Sequence, residues 1–277
     1  MNNVPRPTSP ADAPPAEGNG KSLLQSLPPE EELEVLIRAR YPIIYVLSWE
    51  EERVEKLVSD IATARNKKFY VWTYTQGIVR FGTEPQKAKS GTGNTTDPLA
   101  ALDAVLQHIE PAIYLFKDFH PFTEENRANL AVIRRLKDVA YHLRDSYKTI
   151  IIVAPVMRIA PELDKDITLV EFRPPDVKDF NRLLDRIIED MKDKPNVKIN
   201  LDPAGRERLV HAARGLTLKE AENVFAKTLV LDGTLDADDI SVVFSERCRS
   251  TSATSLSEEP LLNSRFAIVC RSRCERV

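Results

Sequence analysis

Between residues 43 and 172 the chain alternates short, β-branched apolar runs with longer stretches whose apolar residues recur every three to four positions. A short apolar run bounded by polar residues reads as a strand covered on both faces, and the longer stripe reads as the helix that covers it. The runs are 43–47, 69–74, 112–116, 149–153 and 167–172. Between them lie the stripes Val54, Leu57, Val58, Ile61, Ala62, then Leu99, Leu102, Leu106, Ile109, then Leu130, Ile133, Leu136, Ala140, Leu143. A strand that returns to its sheet through a helix is parallel to the strand it left, so the pattern predicts a parallel sheet with helices on both faces. The fold class expected is α/β, a three-layer domain of the type that carries phosphate loops.

After Arg173-Pro174-Pro175 the strand signals stop. Phe180, Leu183, Leu184, Ile187, Ile188 and Met191 mark one helix, and Asp202-Pro203 opens another with a capping residue and a proline at the first helical position. Thr217 with Glu220 forms a capping box. Asp236 is read as the cap of a last short helix through Ile240 and Phe244. These residues predict a small all-helical lid subdomain. The expected division is 1–27 disordered, 28–175 the α/β domain, 176–246 the lid, and 247–277 an anomalous tail. Seven of the 19 prolines fall within residues 1–30, which is why the lead-in is read as disordered.

The tail changes composition. It holds six arginines, no lysine, and all three cysteines, Cys248, Cys270 and Cys274. Either it is disordered or it is an out-of-frame end; the residues favour the second. A body without cysteine excludes a disulfide framework, and three thiols with no nearby histidine do not complete a zinc site, so no metal site is expected. The net charge of −3 argues against a surface for nucleic acid. No apolar run approaches a membrane span, and the first residues lack a secretory pattern, so a cytoplasmic protein is expected.

In a parallel α/β sheet the ligand crevice lies at the carboxyl ends of the strands. A phosphate loop there needs glycines that let backbone amides approach, a lysine, and a hydroxyl for Mg²⁺. The first strand–helix junction instead reads Leu47-Ser48-Trp49-Glu50-Glu51-Glu52. It has no glycine, no lysine and three carboxylates, and Ser48 with Glu51 reads as a capping box. Ser90-Gly91-Thr92-Gly93-Asn94-Thr95-Thr96 has the composition of a surface loop. The third strand ends in Lys117-Asp118-Phe119-His120. Asp118 is a candidate Mg²⁺-ordering acid and His120 a candidate proton carrier, but an apolar Phe119 stands where a second acid belongs. Arg134, Arg135 and Lys137 are a weak basic patch, read mainly as a solvated mixed-charge face.

Ala39-Arg40-Tyr41-Pro42-Ile43-Ile44-Tyr45, Trp49-Glu50-Glu51-Glu52-Arg53-Val54, Lys117-Asp118-Phe119-His120-Pro121-Phe122 and Gly215-Leu216-Thr217-Leu218-Lys219-Glu220 together resemble the divergent AAA+ ATPases of cyanobacteria, algal plastids and related bacteria, the hypothetical chloroplast reading frame type. The resemblance covers residues 31–246 and implies two ATPase-like modules. The first, matched here, lacks the phosphate loop; the second carries it, together with ATP and Mg²⁺. It therefore implies no cofactor for this chain, a non-hydrolytic regulatory or assembly role beside the active module, protein partners or self-association of the AAA+ type, and a cytoplasmic or plastid-stromal setting. The alternative is an ATP-binding, hydrolysing enzyme with an unusual site at Asp118 and His120.

Overall fold

Ile43-Ile44-Tyr45-Val46-Leu47 is apolar throughout because both of its faces are covered. In the computed structural model, which describes residues 27–83, 95–124, 129–191, 198–232, 234–236 and 239–255, it is strand β1 (Ile43–Leu47). It pairs in parallel with β5 (Thr149–Ala154) on one side and β6 (Ile167–Glu171) on the other. Beyond β5 lie β4 (Ala112–Lys117) and β2 (Lys68–Thr73), also parallel. With β3 (Gly77–Arg80) at the edge, the full order is β3-β2-β4-β5-β1-β6.

Alternate side chains enter opposite layers, as the pleat requires. Ile43, Tyr45, Tyr114, Phe116, Ile150 and Ile152 pack against α3 (Pro98–Gln107) and α5 (Leu130–Leu143), with the one-turn α4 (His120–Thr123) between them in the chain. Ile44, Val46, Ile113, Leu115, Ile151 and Val153 pack against α1 (Pro29–Arg38) and α2 (Glu51–Ala64). At about 1.5–3 kcal/mol for each large apolar side chain removed from water, these two layers are the main source of stability.

Local chemistry sets the helix starts. Asp97 accepts from the Ala100 amide at 2.9 Å, with Pro98 next, and opens α3 as expected. The Ser48–Glu51 capping box does not form. The helix starts at Glu51 after Glu50, and the Ser48 hydroxyl instead accepts from the Glu50 amide at 3.0 Å.

Strand β3 (Gly77–Arg80), antiparallel to β2 at the sheet edge, goes beyond the sequence expectation. It is four residues long and only partly covered, too short for its period to register. Gly77 has φ +70°, and a Cβ there would lie 2.4 Å from the Thr95 hydroxyl, so this turn requires glycine. Thr95 is fastened to the hairpin twice: its carbonyl accepts from Trp72 Nε1 at 2.6 Å, and its hydroxyl accepts from the Ile78 amide at 2.9 Å. The Thr83 hydroxyl donates to the Arg80 carbonyl at 2.6 Å.

The sheet is followed by α6 (Val177–Met191), α7 (Pro203–Ala213), α8 (Leu218–Asp232) and α9 (Ile240–Ser255), with a two-residue parallel pair of β7 (Lys198–Ile199) and β8 (Thr234–Leu235). Phe180, Leu184, Leu209, Phe225 and Val243 form their shared core. The Thr217–Glu220 box closes in both directions, at 2.8 and 3.2 Å. The boundary placed at residue 246 falls inside α9, which continues to Ser255: serine and threonine lower helix propensity without breaking a helix. The 1–27 lead-in (all but residue 27), the 90–94 part of the Gly/Ser/Thr loop and the tail beyond 255 lie outside the described residues.

Candidate functional site

The carboxyl ends of β1, β4 and β5 meet at one edge of the sheet. The Ser48 amide donates to the Ala154 carbonyl, and the Asp118 amide to the Val153 carbonyl, each at 3.0 Å. The Tyr45 hydroxyl donates to the Val156 carbonyl at 2.6 Å. Three strand ends are thereby fixed against one another.

Charge at this edge is matched internally. Lys117, at the end of β4, reaches across to α2 and is paired with Glu55, and with Glu51 at 3.7 Å. Glu50 has a side chain only 8% exposed. It accepts from Arg53 Nη1 at 2.9 Å and from the Leu218 amide, at the start of α8, at 2.8 Å. The Arg53 guanidinium also donates to Glu30 at 3.0 Å, to the Arg173 carbonyl at 3.0 Å and to Asp179 at 3.4 Å. It lies over the Phe172 ring at 4.7 Å. One arginine and one buried glutamate thus join α1, α2, the end of β6 and two helices of the lid. Charge-assisted bonds of this kind are about twice as strong as neutral ones. Trp49 turns outward and is 62% exposed.

Asp118 and His120 are brought close, but not into a hydrogen bond: Oδ1 and Nδ1 are 3.9 Å apart. Asp118 has φ +52°, a left-handed conformation that aspartate adopts more readily than most side chains. The turn returns Phe119 to the core, where it is fully buried among Trp72, Phe116 and Phe122 at centroid distances of 5.1–5.3 Å. Packing therefore accounts for the phenylalanine at that position. Nδ1 of His120 is buried without a hydrogen-bond partner. Burial lowers the His120 pKa below its usual value, while the Asp118 charge opposes that shift. Glu51 moves the other way: burial and the neighbouring Asp118 raise it, against the pull of Lys117.

The basic patch read from sequence is neutralised. Arg134 pairs with Asp138 and Arg135 with Asp103. Lys137 lies 3.9 Å from Asp166 and donates to the Glu162 carbonyl at 2.8 Å. Among the described residues no group of three metal-ligating side chains converges.

The sequence-based reading did not anticipate the Arg53–Glu50 knot. Arg53's partners other than Glu50 lie 23, 120 and 126 residues away, and only the alternation of charge in Glu50-Glu51-Glu52-Arg53 hinted at it.

A five-stranded parallel core with β1 between β5 and β6, followed by a helical subdomain docked on its carboxyl edge, is the architecture of an AAA-type ATPase domain. A solved structure of similar fold is a chain of the Escherichia coli HORMA:CdnC:Trip13 complex, with a TM-score of 0.51 at 10% identity over 81% of this chain and 77% of that one. The chain belongs to the SpoVK-like AAA ATPases: the model of their N-terminal domain matches residues 29–172 and that of their second domain residues 178–252. It is 31% identical over 231 residues to the AAA domain-containing protein ycf46 of Trieres chinensis, covering 82% of this chain and 43% of that protein. To the protein of the same name in Guillardia theta it is 30% identical over 242 residues, covering 86% and 44%. The chain thus spans less than half the length of these curated relatives. No described helix is long and apolar enough to cross a membrane.

Proposed function

We propose that this chain is a non-hydrolytic AAA module with a regulatory or assembly role beside an active ATPase module. The observation that carries the reading is the use already made of the crevice. A polyphosphate binds where free backbone amides and an ammonium converge. Here Lys117 is committed to Glu51 and Glu55, and the Glu50 carboxylate holds the Leu218 amide in the cleft between sheet and lid. Of the three junction acids, Glu51 and Glu52 remain accessible and would meet the phosphates with like charge. These residues do not fit a Mg²⁺–triphosphate. ATP and Mg²⁺ belong to the second module that the family resemblance implies.

A role without turnover requires contacts, so the module works through protein partners or self-association, in the cytoplasm or the plastid stroma. The paired state of Arg134, Arg135 and Lys137 supports no role in nucleic-acid binding. Calorimetric titration of Mg²⁺–ATP into the chain tests the reading: no saturable heat is expected, and micromolar binding would overturn it. A second reading, an ATPase of unusual chemistry, draws on the unpartnered His120 Nδ1 near Asp118. Turnover by the purified chain that vanishes in Asp118→Ala would establish that reading instead.

A further inference from the structure

Among the described residues the apolar core of the lid is a cluster of its own, separate from both layers of the sheet. Shared hydrophobic packing therefore does little to orient the lid, and polar contacts must do it. One set of them braces the linker. The Phe172 amide donates to the Leu47 carbonyl at 3.1 Å, and Pro174 and Pro175 follow, each with φ fixed by its ring. Asp176 and Asp179 then close on each other: the Asp176 carboxylate accepts from the Lys178 and Asp179 amides at 2.8 and 2.9 Å, and Asp179 accepts from the Asp176 amide at 3.1 Å. Arg53 of α2 donates to the Arg173 carbonyl and to Asp179, on either side of the two prolines. The stretch where a hinge would lie is held from the sheet.

The second attachment is at α8. The first amides of a helix lack acceptors within it and carry its partial positive charge. The Thr217–Glu220 box serves the Thr217 and Glu220 amides and leaves the Leu218 amide between them. That amide is taken by Glu50, 168 residues away in sequence and on the sheet side of the cleft. Glu50 is fully used: one oxygen accepts from Leu218 at 2.8 Å, the other from Arg53 at 2.9 Å, and the side chain is shielded from water. A helix N-terminus facing a crevice is a place where a separate anion commonly binds. Here the anion belongs to the chain.

We propose that Glu50 is an internal ligand: its carboxylate latches the lid onto the sheet in one orientation with no bound molecule required. Swinging the lid away would strip a shielded carboxylate of an amide donor while leaving its charge in place, which disfavours the open arrangement. The lid is therefore a fixed part of the module's surface and does not open and close over the crevice. The inference does not rest on the absence of turnover. Its test contains no nucleotide, so binding or non-binding of ATP leaves the outcome unaffected.

The test is nuclear magnetic resonance of the full, unliganded chain. In the parent, amide residual dipolar couplings from the sheet and from the lid fit one alignment tensor. Glu50→Ala removes a CH₂–COO⁻ unit, the size of acetate. In that variant the two parts need separate tensors, and the Leu218 amide exchanges about tenfold faster, the effect of losing one charge-assisted hydrogen bond. Sodium acetate restores both, whereas sodium chloride at the same ionic strength does not. Glu50→Gln keeps the shape and is the variant that decides if Glu50→Ala does not fold. A neutral acceptor is about half as strong, so Leu218 exchange there rises about threefold. Separate tensors in the parent, parental Leu218 exchange in either variant, or equal effects of acetate and chloride overturn the proposal.

Discussion

The two ends of the sheet handle charge in opposite ways. At the carboxyl end, Arg53, Glu50, Lys117 and Glu55 satisfy one another, and the effect is mechanical: the lid is joined to the α/β layers through a glutamate that is almost entirely shielded from water. At the amino end of β2, Lys67, Lys68 and Arg80 have no ion pair or hydrogen bond among the described residues, and the register places Lys68 and Arg80 on the sheet face that carries Tyr70. Charge that closes on itself holds a fold together; charge left open is available to something else. The carboxyl edge, where the fold class leads one to look for a ligand, is of the first kind.

The sharpest way to break this contrast is Arg53→Ala. It leaves Glu50 shielded and short of its cation, and a loss of about 2–3 kcal/mol is expected, below the range for a fully buried pair because Arg53 itself is partly exposed. Denaturant unfolding measures the loss, and hydrogen exchange should show the Leu218 amide losing protection first. An unchanged midpoint would mean that the knot contributes nothing.

Lys148→Met comes next. Its ammonium, at the amino end of β5, donates to the carbonyls of Val105, Leu106 and His108 at 2.6–3.2 Å and so closes the end of α3. Removing it orphans three carbonyls for about 2 kcal/mol. This lysine is the amino-end exception, a cation whose partners are built in, and it should behave like the carboxyl-end charges when removed.

A smaller effect concerns acid. The folded pKa of His120 is lowered, so in the window between that value and 6.5 the unfolded chain binds more protons than the folded one. Stability therefore falls as pH drops from 6.5 through this window. His120→Asn should flatten that slope in unfolding curves recorded at successive pH values, and an unaltered slope would assign the acid sensitivity elsewhere. The smallest change is expected for Lys67→Ser and Arg80→Ala, within about 0.5 kcal/mol of the parent in either direction, since no partner is lost. A large destabilisation in the same denaturant assay would show that these cations hold the fold after all.

The central strands were legible because each is a continuous apolar run between polar residues, and β1 with its two covered faces is the clearest of them. The caps at Asp97 and Thr217 were legible because they are local chemistry. Ser48 misled for the same reason: its spacing to Glu51 suits a capping box, but the chain leaves β1 along a path that spends the hydroxyl one residue early. Strand β3 escaped because four half-covered residues carry no usable period. Asp118 and His120 could be named from sequence, yet their 3.9 Å separation and the left-handed turn at Asp118 follow from Phe119 needing a place in the core, which only the assembled layers reveal. The long reach of Arg53 is of the same kind.

The fastenings at Thr83 and Thr95 have a practical consequence. Both are bonded to the β2–β3 hairpin, so the sheet edge is closed off on either side of residues 84–94 independently of how many residues run between them. A fluorescent label or an affinity tag spliced between those two threonines should leave the strand order undisturbed, which would give a handle for asking whether the chain binds a partner.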